Sequence, residues 1–289
     1  MIAQECQLSE SPSVNRMCAA LEVSRSGYYD WLSRKDLPLP NKDIRLRDEI
    51  QKIALEFTGY GYRRVTKELR RRGFQVGRRR VQRLMRDDNL LCLRKFKWPK
   101  TTDSNHNFPV YPNLAKNLRL TDINQLWVAD ITYIRLITEF LYLAVIIDVY
   151  SRKCVGFHLD DRLDASLTVT ALKRALIARW HPGLRGKLVH HSDRGVQYAA
   201  WDYTSRLKSL DIAISMSRKG QPWDNPFAES FIKTLKVEEV YMYEYETRTE
   251  AYHRIEAFIS AVYNQKRLHS SIGYLPPNEF EQQLEHGQH

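Results

Sequence analysis

The sequence predicts an α/β protein in which a basic, all-helical region of helix-turn-helix type precedes a domain built on a mixed sheet. Three observations carry this prediction. Positive charge is concentrated in the first part of the chain. Helical periodicities fill that same part. From Leu126 onward, β-branched and aromatic runs take over, first as strands on short connections and then as strands alternating with helices.

The 289 residues are enough for one large or two modest domains. No apolar run approaches the ~20 residues a membrane span needs; the longest, Phe140 to Ile147, has eight. The N-terminus, Met1 to Glu10, is polar and acidic and does not read as a signal peptide. Cys6, Cys18, Cys92 and Cys154 are scattered without paired spacing, which argues against a zinc ribbon or a disulfide framework. A reducing, cytoplasmic compartment and no membrane partner are therefore expected.

Residues 1–120 hold 25 Lys and Arg against 13 Asp and Glu, a net of +12, whereas residues 121–289 hold 20 against 21, a net of −1. Such asymmetry suits a nucleic-acid-binding arm joined to a nearly neutral domain. Eleven basic residues lie between Arg63 and Arg86, with Glu68 the one acid among them. Val65 and Leu69 supply the apolar stripe of one helix; Val81, Leu84 and Met85 supply that of a second; Gly73 to Gly77 make the turn. This is a helix-turn-helix-like unit in which Arg63, Arg64, Lys67, Arg71, Arg78, Arg79, Arg80 and Arg83 would meet phosphates. A basic hairpin that stays soluble, or that binds another protein, is the plainer alternative.

Further helices are expected over Val14 to Leu21, Ser26 to Leu32 and Asp43 to Phe57. Arg94 to Gln125 carries Pro99, Pro109 and Pro112 with little periodicity. It reads as a linker whose Lys95, Lys97, Trp98 and Lys100 either touch a nucleic-acid backbone or lie passively on the surface. The domain plan is thus 1–93 helical and basic, 94–122 linker, and 123–289 sheet domain with C-terminal helices.

In the sheet domain, Leu126 to Leu136, Phe140 to Val149 and Lys153 to Leu159 form an antiparallel meander. Asp164 caps a helix running to about Trp180, Lys187 to His191 is a short strand, Trp201 to Leu210 a helix, Ile212 to Met216 a strand, and two longer helices follow.

Three acids stand out. Asp130 sits inside a strand whose two faces both look buried, where an unpaired carboxylate would need an Arg or a metal ion. Asp193 ends a short strand ahead of the Arg194-Gly195 turn, at the kind of strand end where ligand sites gather, although turn aspartates are common. Glu229 follows Asn225 and Pro226, an N-cap and first helical position. There Phe227, Phe231 and Leu235 repeat as a buried stripe, while Glu229, Lys233 and Lys236 share the opposite face. A surface Glu–Lys pair is the plain reading of that face; a metal-binding carboxylate beside phosphate-gripping lysines is the functional one. Three carboxylates without a Cys or His cage suit hard cations such as Mg²⁺, and phosphodiester chemistry uses two such ions.

The surrounding residues sharpen this. Trp127-Val128-Ala129-Asp130-Ile131-Thr132-Tyr133-Ile134, His191-Ser192-Asp193-Arg194-Gly195-Val196-Gln197-Tyr198 and Asp224-Asn225-Pro226-Phe227-Ala228-Glu229-Ser230-Phe231 occur in that order, with 35 residues between Asp193 and Glu229. This pattern closely resembles the integrase-like core of transposases from the IS-three family of bacterial insertion sequences. Tyr263-Asn264-Gln265-Lys266-Arg267-Leu268-His269-Ser270-Ser271 looks like that family's C-terminal signature, and Gly59-Tyr60-Gly61-Tyr62-Arg63-Arg64 resembles its upstream helix-turn-helix segment. Ala129 stands where threonine or glycine is commoner in the family.

The resemblance implies an RNase H-like fold in which Asp130, Asp193 and Glu229 are catalytic and bind two Mg²⁺ or Mn²⁺ ions. It implies cleavage at insertion-sequence ends, followed by attack of the freed 3′-hydroxyl on a second phosphodiester. Lys236 matches a basic position that contacts the DNA end, with Lys233 beside it on the helix. Arg267 and His269 are read as either near the site or structural, and Asp148 as structural. The partners implied are double-stranded DNA at element ends and target, a second copy of the chain in a dimer or higher oligomer, and an upstream-frame product, all in the bacterial cytoplasm at the nucleoid. The competing expectations are a non-catalytic DNA-binding regulator with a degenerate core, and a nuclease of RNA–DNA hybrids.

Overall fold

Ten residues, Leu126–Arg135, open the sheet as β1, and Phe140–Asp148 returns beside it as β2. The register runs from Trp127 opposite Asp148 to Arg135 opposite Phe140. β3, Cys154–Asp160, continues the meander antiparallel to β2, with an irregularity at Ile146/Ile147. The chain then crosses over through α6 (Ala165–Arg179), whose N-cap Asp164 accepts from the Ser166 amide. It adds β4 (Val189–Ser192) parallel to β1, and after the short α7 (Val196–Ala199) and α8 (Trp201–Ser209) it adds β5 (Ala213–Met216) parallel to β4. Parallel neighbours require such crossovers, and the strand order is β3-β2-β1-β4-β5.

The computed structural model describes residues 13–35, 41–91, 109–218 and 221–287, so Lys95, Lys97, Trp98 and Lys100 of the expected linker lie outside the described residues. The chain divides into two compact units, 1–51 and 52–289. The first holds α1 (Val14–Ala20), α2 (Arg25–Lys35) and the start of α3 (Asn41–Glu56). The second begins within α3 and continues through α4 (Tyr62–Arg71) and α5 (Arg78–Asp87). Val65 and Leu69 of α4 and Val81, Leu84 and Met85 of α5 are buried, as the apolar spacing predicts.

Alternation along β1 sorts its side chains into two cores. Trp127 and Ala129 pack with Leu167 and Leu172 of α6 and Tyr203 and Leu207 of α8 on one face. Val128 and Ile134 pack on the other face with Phe231 and Leu235 of α9 (Pro226–Glu238) and with Ile255 of α10 (Arg248–Ala257). Helices on both faces of a mixed sheet give the three-layer arrangement that the run of elements predicts.

Several boundaries differ from expectation for local reasons. β4 begins at Val189, because Lys187 and Leu188 both donate backbone hydrogen bonds to the Leu184 carbonyl and so belong to the preceding turn. Only the first part of β1 is buried on both faces; Asp130 and Ile131 are half-buried, and exposure alternates from Thr132 onward. Phe227 is partly exposed, while Ala228 takes the buried position beside Phe231 and Leu235. The last helical stretch is longer and more broken than two helices: α10 runs into a π-helical turn, Phe258–Tyr263, and α11 (Pro277–Glu285) is separate.

The segment after that π turn braces the fold. The Asn264 side chain donates to the Cys154 carbonyl and accepts from the Cys154 amide, both at 3.0 Å, pinning the edge strand β3. Arg267 forms a buried pair with Glu238 at the end of α9, both contacts at 2.7 Å. The Leu268 amide donates to the Tyr60 hydroxyl at 2.6 Å. Gly59 leaves room for Glu238 here, since a β-carbon on it would lie 2.3 Å from Glu238 Oε1.

Strand and crossover helix approach closely at Gly156. A β-carbon there would meet the Ala171 carbonyl oxygen at 2.5 Å and the Ala175 β-carbon at 2.7 Å. Overpacking a well-filled core costs about 1–3 kcal/mol. Gly156→Ala should therefore lower the thermal midpoint without touching any acidic residue, and equal melting of the two proteins would refute the close β3–α6 contact.

Candidate active site

β1 is longer than its parallel neighbour, and this difference in length creates the site. The paired register ends with Val128 opposite His191. Two residues further along each chain come Asp130 and, just beyond the end of β4, Asp193. Both acids thus sit where the pairing between β1 and β4 gives out, the usual place for a ligand site in an α/β sheet. Asp130 Oδ1 accepts from the Ile131 amide at 2.9 Å. Asp193 Oδ1 accepts from the Gly195 amide at 2.9 Å, which shapes the turn into α7.

The strand behind Asp193 is fixed by buried polar contacts. The His191 ring lies between the Ser215 and Ser217 hydroxyls at 2.7 and 3.0 Å, and burial holds its pKa below the ordinary histidine value. The Ser217 amide donates to the Ser192 carbonyl at 2.9 Å, and Arg194 Nε donates to the Ser217 carbonyl at 2.7 Å.

Glu229 comes from α9, in its exposed first turn. Asn225 stands at the N-cap position, but its side chain does not cap the helix. Its amide instead donates to the Ala129 carbonyl at 2.9 Å, tying the start of α9 to β1 one residue before Asp130. The tether engages Nδ2 alone, and the buried Oδ1, the atom that would cap the helix, has no hydrogen-bond partner. Asp224 is held by Arg218 through two side-chain bonds of 3.1 Å, and that pair drives its carboxyl far below the usual range.

The electrostatics show that the three acids share one field. Asp130 is pushed up to about 8, first by burial and then by the charge of Asp193, with Glu229 adding to the rise; the Ile131 amide and Lys236 act against it. Lys236, two turns along α9 from Glu229, is half-buried; burial lowers its pKa while Asp130 raises it. Among the described residues no three His, Cys, Asp or Glu side chains stand ready-made to hold a metal ion. The carboxylates are electrostatic neighbours, not a closed cage. Their donor chemistry nonetheless fits a hard divalent cation: carboxylate oxygens from three residues, with the charges of Asp193 and Glu229 both acting on Asp130.

Tyr198 was not singled out by the sequence reading. Its buried hydroxyl has no hydrogen-bond partner and lies in the field of Asp130 and Asp193. Only its position in the His191–Tyr198 motif hinted at it. Asp148 is structural: it accepts from the amides of Asn124, Tyr150 and Ser151 at 2.6 to 3.0 Å. Arg267 is occupied by Glu238, and His269 is buried edge-on against Tyr263 at 4.7 Å.

The basic residues of the helical pair fall into two groups. On α4, Arg64 is half-buried, Arg71 makes two bonds to Glu279 at 3.1 and 2.6 Å, and Lys67 lies over the Tyr274 ring at 5.1 Å. Arg63 is exposed, as are Arg78, Arg79, Arg80 and Arg83 of α5 and Lys233 of α9.

A five-stranded mixed sheet flanked by helices, with acids gathered at the end of its central parallel pair, defines a core of the integrase type, and comparison with known proteins agrees. Two families described as integrase core domain match residues 121–222 and 210–277, and an HTH-like domain matches residues 40–98. An insertion element IS600 uncharacterized 31 kDa protein of Shigella sonnei is 41% identical over 266 residues, covering 91% of this chain and 97% of that one. Transposase InsF for insertion sequence IS3A of Escherichia coli (strain K12) is 35% identical over 274 residues, covering 93% and 94%. The chain belongs to the IS3 family of insertion-sequence transposases, with an RNase H-like integrase core behind a helical HTH-like region. A simian T-cell lymphotropic virus intasome chain aligns with a TM-score of 0.46 at 14% identity, over 80% of this chain and 73% of that one. Among the described residues no helix is long and apolar enough to cross a membrane.

The raised pKa of Asp130 has a thermodynamic consequence. An aspartate that ionises near its model value of 3.8 when unfolded but near 8 when folded binds more protons in the folded state between those values. Its contribution to stability is therefore complete below about pH 4 and is lost as pH rises toward 8. In metal-free buffer, Asp130→Asn should melt above the wild type at pH 8, and the gap should close as pH falls toward 4. A gap that stays constant with pH would contradict the electrostatic picture.

Proposed function

We propose that Asp130, Asp193 and Glu229 form the catalytic, metal-binding triad of a DNA transposase that cleaves insertion-sequence ends and then joins them to target DNA. The observation that carries this reading is the mutual field of the three acids: Asp130 is held largely protonated at neutral pH by burial and by its two acidic neighbours. Such a site favours whatever brings positive charge. A pair of Mg²⁺ or Mn²⁺ ions would supply it, activating the attacking oxygen and stabilising the leaving one.

The chain's own residues have distinct parts in this scheme. Asp130 and Asp193 are fixed by the sheet and by the Ile131 and Gly195 amides, so they would present their carboxylate oxygens to the ions in one orientation. Glu229, on an exposed helical turn with three side-chain torsions, would swing in to complete the set. Asn225 keeps its helix in register with β1. Lys236, and Lys233 further out, would grip phosphates beside the reacting bond. In the first step a water oxygen bonds to phosphorus, its proton passes to solvent, and the bond to the 3′-oxygen breaks, leaving a 3′-hydroxyl. In the second step the oxygen of that hydroxyl bonds to a target phosphorus, its proton passes to solvent, and the bond from that phosphorus to the target strand's 3′-oxygen breaks, so the 5′-ward segment leaves with a 3′-hydroxyl. The resemblance to a relative named as the transposase of an insertion sequence supports the choice of substrate.

In the same reading residues 1–93 bind double-stranded DNA, 94–122 link, and 123–289 catalyse. Two or more copies would hold two DNA ends together, with an upstream-frame product as a further partner, in the cytoplasm at the nucleoid. Incubating the protein with end DNA and Mg²⁺ and scoring nicked and joined products tests the activity. Asp130→Ala, Asp193→Ala and Glu229→Ala should each abolish both products, and chelation should do the same, while duplex binding survives. An Asp193→Ala protein that still cleaves would overturn the assignment, and cleavage without joining would favour a plain nuclease.

The two groups of arginines make a second prediction. Replacing exposed Arg78 or Arg79 by alanine should flatten the salt dependence of duplex binding by about one unit each. Arg71→Ala should change it little, because that guanidinium is already committed to Glu279. Equal effects at all three positions would remove the distinction.

A further inference from the structure

Beside the carboxylates lies an open pocket of about 810 Å³ that the account above leaves unused. β4 pairs with β1 only as far as Val128, so among the described residues no strand covers that edge of β1 beyond Asp130. The pocket is built along this outer half of β1, the start of β2 and the chain following α9. Tyr133, Phe140, Tyr241 and Tyr243 line it, and these four aromatic rings are 37–55% exposed. Soluble proteins rarely leave clustered aromatic surface open unless something binds there.

Two cations face the same space. Arg135 lines the pocket, and so does Lys236, the residue whose charge Asp130 feels. Glu244 is the one acid in the lining. The walls are firmly held. Tyr133 meets Tyr142 edge-on at 5.2 Å, the Arg254 guanidinium lies 3.3 Å from the centre of the Tyr243 ring, and Arg254 is itself anchored by Glu239 at 2.9 Å. The Ile137 amide donates to the Tyr245 carbonyl at 3.2 Å, closing the far end.

We propose that this pocket is a stacking site for one or two unpaired nucleobases of the DNA strand whose phosphate lies at the carboxylates. The proposal rests on the active-site reading given above. Exposed aromatic faces stack on any base, and flanking cations follow the phosphates, which is the chemistry of single-strand binding. The volume falls within the ~300–1,000 Å³ of small-ligand pockets. Lys236 belongs to both sites, so a strand passing from the carboxylates into the pocket keeps its backbone against a positive charge. A purely apolar protein partner would leave Arg135 and Lys236 unmatched.

The test is binding by the full-length chain in metal-free buffer, so catalysis does not enter. Three probes share one sequence: a blunt duplex, the same duplex with a short oligothymidine extension, and the duplex with an abasic extension of equal length. The wild type should prefer the thymidine extension over both others by roughly 5- to 150-fold, the range for loss of one base–aromatic stack. Phe140→Ala/Tyr241→Ala should lose that preference and keep its affinity for the blunt duplex; both side chains are exposed, so the fold should survive. Equal binding of abasic and thymidine extensions, or a preference that persists in the double variant, would overturn the proposal. So would a double variant whose only change is its sedimenting mass, since the pocket would then be a contact between protein chains. Asp193→Ala should keep the preference for the thymidine extension, which separates failure here from failure of the catalytic assignment.

Discussion

The constraint on which the proposed site depends is the placing of three like charges in one electrostatic field. Left to themselves, Asp130, Asp193 and Glu229 would move apart or take up protons. Here they cannot separate freely, because two of them are set by the register of a parallel strand pair and the third by a helix tied to the same strand. Burial first, and the charges of Asp193 and Glu229 after it, raise the pKa of Asp130. A site of this kind stores a demand for positive charge, and the fold must supply stability elsewhere to sustain it.

The position of Glu229 relative to the sheet is set at the two ends of α9. At its start, Asn225 gives up the capping role its position suggests and binds the Ala129 carbonyl instead. At its end, Glu238 is locked by Arg267 from the C-terminal segment, with Tyr60 holding the neighbouring Leu268 amide. A buried pair such as Arg267–Glu238 adds little net stability over an apolar contact, but removing one partner is expensive. It therefore acts mainly as a positional lock, and what it positions is the helix that carries Glu229 and Lys236. Two short motifs far apart in the chain, around Tyr60 and Arg267, thereby meet at the far end of the helix that carries Glu229.

The sequence made the sheet legible because strand signals are local: alternation, β-branched residues and short turns located β1, β2, β3 and β5 to within a residue or two. The buried stripes of α4 and α5 were visible for the same reason. Pairing was not visible. Periodicity alone does not say that β4 stops level with Val128, and that fact brings Asp193 beside Asp130 and leaves the outer edge of β1 open. The π turn at Phe258–Tyr263 was hidden because it preserves the apolar content of a helix while changing its winding. Asn225 misled because cap preference is a statement about helix ends, whereas here the side-chain nitrogen is held by the Ala129 carbonyl and the oxygen is left unpaired. Tyr198 was hidden because a tyrosine in a motif looks like core until its hydroxyl is found without a partner.

Net charge also needs the structure before it can be interpreted. The eleven basic residues from Arg63 to Arg86 look like one continuous surface for DNA, yet several are consumed inside the fold. Arg70 donates to the Val76 carbonyl, Arg71 binds Glu279, Arg72 binds Glu68 and Glu56, and Arg64 is half-buried beside Arg267. An arginine already bonded to a carboxylate must break that bond before it can neutralise a phosphate, so it releases fewer counterions on binding than its charge suggests. Exposure alone does not separate the two helices, since Arg63, Lys67, Arg70 and Arg71 of α4 are exposed alongside Arg78, Arg79, Arg80, Arg83 and Arg86 of α5. An anionic partner would therefore meet fewer uncommitted guanidinium groups than the composition implies, because bonding inside the fold, more than burial, is what removes them.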